Sequence, residues 1–179
     1  MIGDNLVKFR GLIDDAYSHW TAPTNWTFAQ LIPHLSRLEK IAVLCGTLDY
    51  QVCNSGFMQW HYNRYSEAYE QLDMALAEII GTREDTVTEK VRNICRSAMY
   101  HADIYERRSA THRAALKDNV NHWRHAESSG EDDEYEYDEE EEVSEDFQVA
   151  TNFLDEAFYK IDEAFCQEVE DFLITQDSN

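Results

Sequence analysis

Charge in this chain is segregated, and the segregation sets the problem its fold must solve. Residues 1–126 carry 15 acidic and 14 basic side chains, a net of minus 1, whereas Glu127–Asn179 carries 21 acidic side chains against Lys160 alone, a net of minus 20. A block so charged stays solvated unless something fastens it down. Here Phe147, Leu154 and Ile161 recur seven apart, as do Phe158, Phe165 and Phe172, so that one helix from Phe147 to Ile174 gains an apolar seam. That seam must pack on the rest of the chain or on a second copy of itself, and it carries the acidic third with it.

The remainder also reads as helix. Spacings of three and four dominate, strand-like alternation is scarce, and there are only two prolines and six glycines. Leu6, Phe9, Ile13 and Ala16 or Tyr17 share a face in a first helix that ends by Thr21–Asn25. A second helix starts near Leu31 or Pro33 and runs Leu35, Leu38, Ile41, Ala42, Cys45, Leu48 and Val52 along one face, until Asn54-Ser55-Gly56 breaks it. Tyr69, Leu72, Ala75, Leu76 and Ile79 form a third, stopped by Gly81. Val87, Val91, Ile94, Ala98, Ala102 and Tyr105 form a fourth behind Asp85 or Thr86 as cap, continuing past a bend at Arg107–Thr111. The expected architecture is all-α, a single helical bundle: a near-neutral core over 1–126, an acidic loop insertion over 127–146, and an acidic C-terminal helix over 147–179 packed on the core. Asn54 and Asn63 are expected to bond to backbone around the turn.

The densest charge lies in the insertion. Glu131, Asp132, Asp133, Glu134, Glu136, Asp138, Glu139, Glu140, Glu141 and Glu142 place ten carboxylates in twelve residues, with only Tyr135 and Tyr137 between them. Extended at ~3.3 Å per residue, the run offers about one charge per 4 Å, against one per ~3.4 Å for a single DNA strand. On the last helix Asp155 and Glu156, Asp162 and Glu163, and Glu170 and Asp171 follow at seven- or eight-residue intervals, roughly 10–12 Å apart at ~1.5 Å per residue. The helix alone is too sparse to pass for a duplex, and the loop beside it would supply the missing density.

Other chemistry is not indicated. Cys45, Cys53, Cys95 and Cys166 form no CxxC pair and read as buried reduced thiols. His101, His112, His122 and His125 lack a recognisable zinc pattern and read as structural or surface residues, so no metal or cofactor is expected. There is no GxSxG, P-loop, dinucleotide fingerprint or HExxH, and no enzymatic activity is expected. A net charge of minus 21 opposes direct binding to nucleic acid or to anionic membrane and favours a basic partner. The N-terminus has no signal-peptide pattern and no stretch reaches the roughly 20 apolar residues of a span, so a cytoplasmic location is expected.

The segment Leu48–Trp60, with Asn54-Ser55-Gly56-Phe57 at its centre, Gln59 and Trp60 next, Asn63 beyond and a helix ending at Ile80-Gly81, resembles the signature of the DNA-mimic protein family. Leu154-Asp155-Glu156-Ala157-Phe158-Tyr159 resembles the family's closing motif, so that the likeness spans about Leu31 to Phe172 apart from the acidic insertion. Ser55 stands where the family usually has a glycine. The resemblance implies an all-helical fold, with a homodimer as one arrangement, whose acidic surface imitates DNA phosphates. The function expected is inhibition of a basic DNA-binding protein, a host regulator, a nucleoid protein or restriction or CRISPR-type defence machinery, through the sixteen carboxylates named above. The alternative is a helical interaction module that recruits a basic partner through its acidic loop without DNA-like geometry.

Overall fold

In a computed structural model, which describes residues 6–19, 26–126 and 138–178 with the side chains at 19, 112, 113, 115–126 and 138–143 outside the description, the central helix starts at Arg37. That is later than Pro33 suggests. Phe28–Leu31 (α2) and a 3-10 turn at Ile32–His34 come first, and Pro33 occupies the start of that turn. The true start signal is Ser36-Arg37-Leu38-Glu39, a capping box in which Ser36 Oγ accepts from Glu39 N and the Glu39 carboxylate accepts from Ser36 N.

This helix, α3 (Arg37–Tyr62), packs against α1 (Val7–His19), α4 (Tyr69–Ile80), α6 (Asp138–Tyr159) and α7 (Asp162–Asp177). Its apolar stripe predicts one buried face, but all of Ile41–Gly46, together with Leu48, Asp49, Gln51 and Val52, is buried. A helix enclosed on nearly every side is the axis of the bundle. Among the described residues there are seven α-helices, where the spacings gave five, and no strand, so the all-α class holds.

Gly56 interrupts α3 with φ 78° and ψ 178°, so the break expected at Asn54-Ser55-Gly56 is a kink within one element. α4 stops at Gly81, φ 58°, and Arg83 closes its end by donating to Ile79 O at 2.6 Å. α5 runs from Val87 to Ala126 with no interruption at Arg107–Thr111, and Thr86 rather than Asp85 is its cap, Oγ1 accepting from Glu89 N at 3.0 Å.

The acidic third departs from expectation twice. The loop expected over 127–146 is already helix from Asp138, while 127–137 lies outside the described residues. The single helix expected over Phe147–Ile174 is two, α6 and α7, parted at Ile161 with φ −130° and ψ 0°. A straight helix drifts ~20° per heptad from a flat seam, and the break resets it. Phe158 and Phe165 are consequently both fully buried, their rings 6.1 Å apart, and Phe147 is buried as well. The seam therefore packs on its own bundle. α6 also lies along α5, where Tyr105 and Phe147 stack at 4.9 Å and Arg108 meets Asp146 at 2.5 Å.

Candidate partner-binding surface

Which carboxylates face a partner depends on which ones the fold uses. Asp155 is half-buried, and its Oδ1 accepts from Phe57 N at 2.7 Å. Its Oδ2 lies 2.2 Å from where a Cβ on Gly56 would stand. The carboxylate thus occupies the space the glycine leaves and caps the helix that restarts at Phe57. Burial pushes its carboxyl up from the ordinary value, and the Phe57 N–H acts in the opposite direction.

Glu170 is buried, accepting from Lys8 N at 2.9 Å and Phe9 N at 2.5 Å, and so caps the first turn of α1. A carboxylate suits that place because it meets free N–H groups and the positive end of the helix dipole. Glu170→Ala strands one buried and one part-buried donor and lowers stability by about 2–3 kcal/mol, with Glu170→Gln costing less; chemical denaturation of the two variants checks this.

Asp162 is half-buried, its Oδ2 3.4 Å from Cys53 Sγ. Asp155, Asp162 and Glu170 were expected on an outward surface, and all three are turned to the bundle. Their positions in the heptad did not reveal this, because the groups that hold them, Phe57 N for Asp155, Cys53 for Asp162 and Lys8 N and Phe9 N for Glu170, lie far away in sequence.

What remains outward is a smaller set. Glu156, Glu163 and Asp171 are exposed as expected. So are Glu145 and Asp146, which the motif pairs had left out. On α6 the exposed residues Glu145, Val149, Phe153 and Glu156 follow at spacings of four, four and three, one stripe on which Phe153 is 73% exposed between acids. Asp138, Glu139, Glu140, Glu141 and Glu142 lie on the first turns of the same helix by backbone; Glu131, Asp132, Asp133, Glu134 and Glu136 lie outside the described residues.

α7 supplies another inward carboxylate that the sequence did not single out. Glu168 accepts from Val87 N at 3.1 Å, Thr88 N at 2.9 Å and Thr88 Oγ1 at 2.7 Å, capping α5. Burial pushes its carboxyl up, but the bonds from Thr88 and Val87 outweigh burial and hold it below the ordinary value. A carboxyl with a lowered folded value adds stability above the unfolded value of ~4.3 and loses it as pH falls through the lowered one. Thermal melts between pH 6 and 3 are therefore expected to fall more steeply for the native chain than for Glu168→Gln.

The aromatic segment after the kink is architecture. Trp60 is buried, Asn54 Nδ2 donates to Tyr50 O at 2.6 Å, and Asn63 Nδ2 donates to the Gln51 side chain at 3.0 Å rather than to backbone. His61 sits between Ser66 Oγ at 3.0 Å and Glu106 at 3.2 Å, in the order nucleophile, base, acid. Ser66 is buried in the 3-10 turn Tyr65–Ala68, out of reach of a substrate, so the array pins this segment to α5. The side chains of His112, His122 and His125 lie outside the described residues.

The two motifs that carry the family resemblance meet at one place. Asp155 bonds Phe57 N, Tyr159 OH donates to Val52 O at 3.0 Å, and the Phe57 and Phe158 rings meet at 5.9 Å and 87°. Their pairing defines a class: all-helical proteins in which a glycine-kinked central helix is clamped by an acidic C-terminal segment. Residues 33–156, more than half of the chain, match the family model of the DMP19-like proteins, named for DNA mimic protein 19, and the chain belongs to that family. The match begins close to Leu31, as expected, and stops at Glu156, short of α7 and of Phe172. Comparison with curated proteins and with solved structures gives no match. The family is generally non-enzymatic, and membership implies a DNA-binding protein as partner. Among the described residues no helix is long and apolar enough to cross a membrane.

Proposed function

We propose that the chain inhibits a DNA-binding protein by occupying its basic DNA-binding cleft with α6, the acidic run that leads into it, and the outward carboxylates of α7. The observation that carries this is the helical start at Asp138. Five successive acidic residues, Asp138–Glu142, then rise ~1.5 Å each, about one charge per 1.5 Å of axis, close to the ~1.7 Å per charge of duplex DNA. An extended loop would have matched only the single strand. Burial of Phe147 and Phe158 anchors the helix that carries the run on the bundle before the partner arrives, which limits the ordering cost of association.

Lys and Arg of the partner would meet Asp138, Glu139, Glu140, Glu141, Glu142, Glu145, Glu156, Glu163 and Asp171, with Glu131, Asp132, Asp133, Glu134 and Glu136 extending the run. A host regulator, a nucleoid protein and a defence nuclease offer the same chemistry. Affinity capture from host lysate at low and high salt, with duplex DNA as competitor, tests the assignment. Captured DNA-binding proteins released by DNA and by salt support it; partners that DNA fails to displace would refute it.

A further inference from the structure

Val149 and Phe153 stand on the outer side of α6, 58% and 73% exposed, while Phe147, Thr151 and Phe158 of the same helix are buried in the bundle. One turn apart, the two apolar side chains are neighbours on the helix surface. Glu145 comes one turn before Val149 and Glu156 nearly one turn after Phe153, both exposed, so an apolar centre is held between acids on one stripe. Carried back toward the start of α6, the same register passes through Glu142 and Asp138 by backbone. The acidic run and the apolar centre therefore share one helix face, and one partner meets both.

Imitation of phosphate has no use for a phenylalanine. An apolar centre inside a charged rim is instead the anatomy of a protein interface. A second copy of this chain is a poor cover for it. Two such stripes laid antiparallel, with Val149 against Phe153, bring Glu145 of one against Glu156 of the other; laid parallel, they set each acid against itself, and like charges so placed repel. Lys160, exposed just past the end of α6, is the only basic residue in Glu127–Asn179 and leaves the stripe acidic. The complementary surface is a basic one with an apolar hollow. Clefts that read DNA bases combine both, with Lys and Arg for the phosphates and apolar side chains that touch the thymine methyl or wedge between base steps.

We infer that Phe153, supported by Val149, is the specificity anchor of the inhibitory surface proposed above, on which reading this rests. Phe153 fills the apolar hollow where the partner receives bases, and the acids on either side take the places of phosphates. The partner class narrows to DNA-binding proteins that contact bases, as distinct from those that hold the duplex by its backbone alone. Burial of the anchor is not screened by salt as the ion pairs are, so its share of the affinity persists while theirs fades.

Two synthetic helical peptides of equal positive charge, one with alanines between its lysines and one with a leucine stripe in their place, probe the surface of the full-length protein. The leucine peptide should bind about tenfold or more tightly than the alanine peptide, the gain from covering one large apolar side chain. Raising the salt should weaken both and keep their ratio. Phe153→Ser should erase the ratio and leave the alanine peptide unchanged, whereas Met74→Ser, a residue 72% exposed on α4, should alter neither. Circular dichroism verifies folding. Equal affinities for the two peptides, or a ratio that survives Phe153→Ser, would overturn the anchor; so would a dimer in sedimentation that Phe153→Ser dissolves, because a second copy then covers this face. Capture from host lysate separates the anchor from the reading beneath it. DNA-displaceable protein lost by the amide variant of Asp138–Glu142 but kept by Phe153→Ser sinks the anchor and leaves the inhibitory reading intact. The opposite pattern refutes that reading and keeps the anchor, and no DNA-displaceable capture at all removes both.

Discussion

Gly56→Ala is expected to lower the unfolding free energy by about 3–5 kcal/mol, read as a drop in the urea midpoint at unchanged slope. Two costs combine. At φ 78° and ψ 178° the backbone is in a region only glycine enters readily. A Cβ there would also stand 2.2 Å from Asp155 Oδ2, so the carboxylate must swing away and release Phe57 N. Asp155→Ala alone loses the cap, roughly 1–2 kcal/mol. In the double variant the clash disappears while the backbone strain stays, so the two costs add to less than their sum. Strict additivity would mean that Gly56 and Asp155 are not coupled in this way. This pair also gives the family signature a physical meaning, because the Asn54–Phe57 and Leu154–Tyr159 motifs are the two halves of one joint.

Replacing Asp138, Glu139, Glu140, Glu141 and Glu142 by their amides is expected to weaken capture of the partner by about 100-fold or more at low salt. Five ion pairs with the partner at roughly 0.5–1 kcal/mol each give about 3–4 kcal/mol. A second variant keeps the acidic composition but spaces it with two prolines, which break the helix without changing its charge. Imitation of duplex spacing predicts that this variant loses most of the affinity too; full retention would favour a plain acidic tether, the alternative drawn from the charge run itself. Association measured across a salt series separates the contributions further, since steered encounter between opposite charges slows steeply as salt rises.

The helical class, the break at Asn54-Ser55-Gly56, the stop at Gly81 and the docking of the acidic third by its aromatic seam are all legible in the sequence. Each rests on interactions within a turn or two, or on periodicity along one helix. The start of α3 was legible as well, in Ser36-Arg37-Leu38-Glu39, but the proline at 33 is a more conspicuous and less accurate marker. The break between α6 and α7 was not: no proline or glycine stands at Lys160-Ile161, and nothing in the local sequence marks the place where the chain turns to seat both Phe158 and Phe165 in the core.

The sequence by itself determined that this protein is a helical bundle with almost all of its excess charge in its last third. Tertiary structure alone decided how that charge is divided. Asp155, Glu168 and Glu170 are drawn inward because helices far away in sequence end against them with unsatisfied N–H groups, whereas Glu145, Glu156, Glu163 and Asp171 stay outward. Local propensity acts over a turn, but what fills the space beside a glycine, or caps a helix end, is supplied by whichever chain segment packing brings there.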